Sequence, residues 1–139
     1  MIDLKTAPYA AFLLRVASGL LFVAHGLTKV FVFTIPGTVG FFESLGFPAA
    51  LAYLTIAAEL GGGLALIFGI GTRVVALALL PVLLGATYVH LGNGWSFTNE
   101  GGGWEFPAFW AATLGVNALL GSGAHAVKLP KAFGTPTTA

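Results

Sequence analysis

Six ionisable side chains fall inside or at the edges of otherwise apolar stretches: Arg15, His25, Lys29, Glu59, His90 and Glu105. A charge at the centre of a membrane helix costs about 2.5–3.5 kcal/mol on insertion scales, so each asks for a partner or a wet cavity. Arg15 and Glu59 are natural counter-charges, and the expected arrangement is a buried, bidentate pair. Such a pair either serves a site or only sets helix register. His25 and His90 are two imidazoles suited to ligating a haem b, binding a quinone headgroup, holding a metal or relaying protons. The bland alternative is that each bonds only backbone or interfacial water. His25 and His90 are the candidate cofactor residues; no residue is assigned a catalytic role, and no metal site is assigned.

Spacing supports one polar face. At 100° per residue, Ser18 lies about −60° from Arg15, Phe22 about −20°, His25 about −80° and Lys29 about −40°. On the second stretch Thr55, Glu59 and Gly62 or Gly63 share a face in the same way. At 1.5 Å per residue, Arg15 lies about 10 Å inside one end of its helix and Glu59 about 15 Å inside the same end of the next. His25 and His90 fall at similar depths toward the opposite end, with Lys29 and Glu105 beside them at its mouth. His125 follows the last stretch and is expected to touch solvent.

The elements that carry these residues follow from composition. The chain has 139 residues, 57% hydrophobic and only 8% charged, with a mean hydropathy of +0.92. Soluble domains carry about 25% charged residues, so a water-facing surface is excluded. About 20 apolar residues cross a bilayer core as a helix, and four stretches qualify: about 8–32, 48–69, 72–91 and 105–123. The expected fold is an all-α up-down bundle of four transmembrane helices, one membrane domain over 1–130 with a short polar tail at 131–139. Gly69-Ile70-Gly71-Thr72 reads as a tight turn. The first stretch is too long, and carries Arg15, so it reads as a retained span rather than a signal peptide.

Lys5, Arg15, Arg73, Lys128 and Lys131 sort to one side of this arrangement, and Lys29 alone toward the other. That bias places both termini in the cytoplasm and the longer loops outside, in a bacterium across the inner membrane. Residues 38–47, between Pro36 and Pro48, read as a short interfacial helix or re-entrant segment. Trp95, Phe97 and Trp104 suit the aromatic belt. Ala57/Gly61/Ala65 and Ala58/Gly62 are small-xxx-small rows, suited to close packing within the chain or a homo-oligomer seam. The loose GxGxxA match at Gly121–Ala126 follows a span rather than a strand and implies no nucleotide site. A net charge of +1 excludes nucleic-acid binding. With no cysteine, disulfide, iron–sulfur and thiol chemistry in this chain are excluded.

The ordered set Arg15, His25-Gly26, Lys29, Gly46 with Pro48, Glu59 with Gly61-Gly62-Gly63, Gly69 with Thr72-Arg73, His90, Gly102-Gly103 with Glu105, and Gly121-Ser122-Gly123 resembles the DoxX family of small four-span bacterial membrane proteins. The resemblance implies an accessory membrane subunit of quinone- or sulfur-linked redox metabolism, beside a redox enzyme partner, rather than an independent enzyme. It maps Arg15, His25, Lys29, Glu59, His90 and Glu105 onto the family's polar positions. At the tail, His125, Lys128 and Lys131 stand where relatives often carry an acidic residue. Three other readings remain open: a bis-histidine haem protein, a small-solute binding or transport module, and a structural membrane anchor.

Overall fold

The computed structural model describes residues 3–128 and is all-helical there; Lys131 and the polar tail lie outside the described residues. Helix α1 spans Ala7–Leu27, with a proline in its first turn, where the missing N–H costs nothing. It runs on without a break into a π-helical turn at Thr28–Val32. A ten-residue helix, α2 (Ile35–Ser44), follows the turn. Helix α3 spans Ala49–Phe68, α4 spans Thr72–His90 and α5 spans Glu105–Leu120.

Three of these are long and apolar enough to cross a membrane: Ala7–Val32, Ala49–Phe68 and Thr72–Asn93, the last including a 3-10 turn at Leu91–Asn93. Helix α5, at 16 residues, is shorter than the span expected there. The helices carry exposed leucine, valine and phenylalanine side chains on their outer faces, among them Leu13, Leu54, Leu64, Leu77, Leu84 and Phe109. Such a surface suits acyl chains.

Helix ends are set by residues that stop helices locally. Thr34 caps α2 by accepting a hydrogen bond from the Gly37 N–H. Gly69 closes α3 in the left-handed conformation (φ +74°). Its neighbour Ile70 donates back to the Ala65 carbonyl at 2.8 Å, satisfying one of the orphan carbonyls of the last turn. The turn read at residues 69–72 is therefore present.

Helix α1 packs on α3, α3 on α4, α4 on α5, and α5 returns against α1. Phe22, Leu66, Leu79, Leu83, Trp110 and Leu114 fill the space between them. The antiparallel α1–α3 contact depends on missing side chains: a Cβ on Gly19 would lie 2.6 Å from the Gly63 carbonyl oxygen. Gly62 does the same for α3 and α4, where a Cβ would meet Leu79 at 2.8 Å. Gly61 alone of the glycine triplet faces open space. Gly19→Ala should accordingly cost about 1–3 kcal/mol through overpacking, whereas Gly61→Ala, inside α3 with open space around it, should cost nothing and gain up to about 1 kcal/mol of helix propensity. Reversible SDS unfolding of the two variants measures the contrast, and equal midpoints would refute this account of the seam.

Candidate functional site

Lys29 and Glu59 form the one ion pair among the described residues. The Lys29 ammonium donates to both carboxylate oxygens, at 2.9 Å and 2.8 Å. The side chains are 20% and 6% exposed, so the pair is largely withdrawn from solvent. Three local features build it. Gly26 lets α3 come close, since a Cβ there would sit 3.4 Å from the Glu59 Cβ and 2.7 Å from a Leu60 methyl. The π-turn holds Lys29, with the Phe33 N–H reaching back to the Thr28 carbonyl at 3.0 Å; such turns recur at functional sites. Helix α2 packs on both α3 and the π-turn, and its buried Thr38 hydroxyl donates to the Lys29 carbonyl at 2.9 Å.

The turn that swings α2 into place is strained. Thr34, a β-branched residue, adopts φ +65° and ψ 158°, a region otherwise nearly confined to glycine. Its hydroxyl oxygen, accepting from the Gly37 N–H, helps hold it there.

The expected Arg15–Glu59 pair is not formed. Arg15 is completely buried and spends its guanidinium on backbone carbonyls. Its Nε donates to Ser122 O at 2.7 Å, Nη1 to Leu66 O at 2.8 Å and also to Ile67 O, and Nη2 to Ala124 O at 2.9 Å. The Phe12 ring lies 5.1 Å from Cζ. Register is the reason. Gly19 faces Gly63, and Gly26 faces Glu59 and Leu60, so Arg15 lies opposite the last turn of α3, about 15 Å along the axis from Glu59. There the carbonyls at the α3 C-terminus supply the negative end of a helix dipole in place of a carboxylate. The segment after α5 completes the cage, and Val127 N–H bonds Phe68 O at 2.9 Å.

The two histidines share one local geometry. His25 Nδ1 lies 2.8 Å from Leu21 O, and His90 Nδ1 lies 2.7 Å from Ala86 O. In each the Nδ1–H is spent on the carbonyl one turn back, which leaves the Nε2 lone pair to accept a proton or ligand. Beyond that turn their recorded neighbours differ. The His25 ring faces Trp110 and Phe106 of α5, at centroid distances of 5.1 Å and 6.4 Å. His90 sits instead beside Gly102, where a Cβ would lie 3.7 Å from its ring. Among the described residues, no three His, Asp or Glu side chains converge on a metal position.

Glu105 makes no ion pair with Lys29; its Oε1 accepts the Phe97 N–H at 2.9 Å. It thereby staples the loop before α5, in which Asn93 Nδ2 donates to the Gly101 and Gly102 carbonyls and Trp95 meets Trp104 edge-on at 4.7 Å. His125 is exposed, as expected, and its ring also packs on Phe12 at 5.1 Å and Tyr9 at 6.0 Å.

Sequence reasoning missed Thr38, Trp110 and Asn117. All three are buried. Asn117 Nδ2 donates to the Ser18 hydroxyl oxygen at 3.1 Å, linking α5 to α1. A polar Asn inside an uncharged apolar stretch was the available signal, because an amide in a span needs a partner.

The DoxX family model matches residues 10–92, more than half of the chain. Over 82 residues the chain is 40% identical to a Bacillus subtilis (strain 168) protein named "Putative oxidoreductase CatD". That match covers 59% of this chain and 60% of the relative. Over 63 residues it is 38% identical to an Escherichia coli (strain K12) protein named "Inner membrane protein YqjF", covering 45% of this chain and 47% of that one. The chain thus spans less than two thirds of the length of either relative. No solved structure matches it significantly.

Proposed function

The chain belongs to the DoxX family, and from that premise we propose that this membrane protein is an accessory subunit of quinone- or sulfur-linked redox metabolism. In this reading α5 is a fourth span, the four long helices form an up-down bundle in the bacterial inner membrane, and both termini are cytoplasmic. The Lys29 end is then the outer end. Its polar groups, His25, Lys29, Glu59, His90 and Glu105, make the working site, while Arg15 holds the cytoplasmic end together.

The observation that carries the reading is the Lys29–Glu59 pair, shielded within an apolar bundle and held beneath α2. A buried ion pair is a weak source of stability compared with apolar residues of similar volume, so its presence where Gly26, the residue after His25, meets Glu59 favours a role in handling charge or protons. The name carried by the Bacillus relative supports redox chemistry. Since this chain has no cysteine, thiol chemistry falls to a partner enzyme.

The test is made in membranes. Deleting the chain from its host should lower thiosulfate- or thiol-dependent reduction of the membrane quinone pool. The wild-type chain should restore the rate, and Glu59→Gln, present at equal level, should not. Unchanged rates on deletion would refute the redox reading.

A further inference from the structure

Helix α2 is fixed to the bundle by little. Of its ten residues only Thr38 is buried, while Ile35 and Phe41 stand exposed. Both of its ends join the chain through residues of positive φ. Thr34 enters it at φ +65° and ψ 158°, and Gly46 follows it at φ +86°, with open space where a Cβ would stand. Residues 31–37 are all exposed, so packing does not secure the first of these hinges. A segment with so few buried side chains belongs to the low end of local stability.

What latches α2 is one side chain. The Thr38 hydroxyl donates to the Lys29 carbonyl at 2.9 Å, in the last turn of the α1 run, where helical donors for carbonyls run out. That carbonyl belongs to the lysine whose ammonium pairs with Glu59. The latch on α2 and the placement of the ion pair thus share one residue. Thr34 works against the latch, because a β-branched residue in its backbone region is strained, and the strain is released once α2 swings away. Val39 and Phe42, half-buried, supply the remaining contact. A single buried hydrogen bond and a single strained residue are of similar size, so a second position of α2 lies within reach of thermal motion.

We propose that α2 is a lid. Closed, Thr38 holds the Lys29 turn and the ion pair is largely withdrawn from water. Open, α2 swings about Thr34 and Gly46, and water reaches Lys29 and Glu59. Because Thr38 grips Lys29 itself, closure and pairing are coupled in both directions: what breaks the pair loosens the lid, and what frees the lid weakens the pair. The proposal rests on the redox reading only for its purpose. Opening is measured without turnover, so either can fail alone.

The chain has no cysteine, so a pair of spin labels can be placed without background. Gly40→Cys, where a Cβ meets nothing within 4 Å, is combined with Leu64→Cys on the exposed face of α3. The distance between the labels is read by pulsed EPR on the full chain in lipid nanodiscs. Two distances are expected, and Thr38→Val should raise the ratio of open to closed about fivefold, the equivalent of one hydrogen bond. Thr38→Ser, which keeps the hydroxyl, should behave as wild type. Thr34→Gly relieves the strain and should lower the open share, whereas Glu59→Gln should raise it. Labels at Leu64 and Leu84, both exposed and outside α2, should give one distance throughout. Acetylation of Lys29 by a water-soluble succinimidyl ester, read by mass spectrometry, should quicken in Thr38→Val and covers the case in which the labelled chain misfolds. One distance in both wild type and Thr38→Val, or Lys29 acetylated at equal rates in the two, would overturn the proposal. So would a second distance between Leu64 and Leu84, which would place the motion in the bundle rather than in α2.

Discussion

Arg15→Met should destabilise the protein by about 3–5 kcal/mol, at the upper limit of single-residue effects. The substitution preserves an unbranched apolar stem but removes the guanidinium donors to the carbonyls of Leu66, Ile67, Ser122 and Ala124, of which Leu66 O keeps the Gly69 N–H at 3.1 Å. Hydrogen bonds to a charged group are worth about 1.5–3 kcal/mol each, and they do not add fully when they share one donor group. A buried carbonyl left without a partner carries its own desolvation cost. Arg15→Lys should recover only part of the loss, because one compact ammonium cannot reach four acceptors spread around a planar fork. The damage should be local first: amide exchange in residues 121–127 should accelerate before that of α3 and α4. An SDS-unfolding midpoint for Arg15→Met equal to that of wild type would refute the cage.

The second large effect concerns Lys29 and Glu59, where single and double substitutions should diverge. Glu59→Met leaves an ammonium with no counter-ion in a site where it is only 20% exposed, and breaking such a pair costs about 3–5 kcal/mol. Lys29 keeps some access to solvent, so the lower end of that range is expected. Lys29→Met together with Glu59→Met replaces the pair with apolar side chains of comparable length. Most of the stability should return, since apolar replacements of buried pairs are often neutral or better. A double-mutant cycle measures the coupling. If the redox role is correct, the double variant should be folded and still inactive. A folded double variant with full activity would make the pair purely structural.

The contrast between these two sites explains what could be read early. The polar face carrying Arg15, Ser18, Phe22, His25 and Lys29 follows from helical rotation alone, and Arg15, Ser18 and Phe22 are all buried. The helix boundaries follow from prolines and glycines that act on their immediate neighbours. The partner of each charge did not follow. Depths counted from assumed helix ends put Arg15 and Glu59 about 5 Å apart along the axis, but the glycine seam slides the helices so that Glu59 meets Lys29 instead. The π-turn at Thr28–Val32 was equally hidden; the hold of Thr38 on its Lys29 carbonyl is a tertiary contact that local sequence does not announce.

The sparse charge of this chain, by itself, determined its class: a low-charge, glycine-rich, cysteine-free sequence can form helices for a membrane and little else. It also marked which side chains need explaining, since a charge among apolar residues is costly wherever the helix ends up. Only the tertiary structure decided how each cost is met. Arg15 is met by carbonyls of the α3 end and of the segment after α5, Lys29 by Glu59, Glu105 by the loop it staples, and the histidines by their own preceding turns. The physical reason is range. Burial and periodicity depend on residues within a turn or two, whereas pairing depends on the register between helices, which close contacts such as Gly19 against Gly63 set from far along the chain.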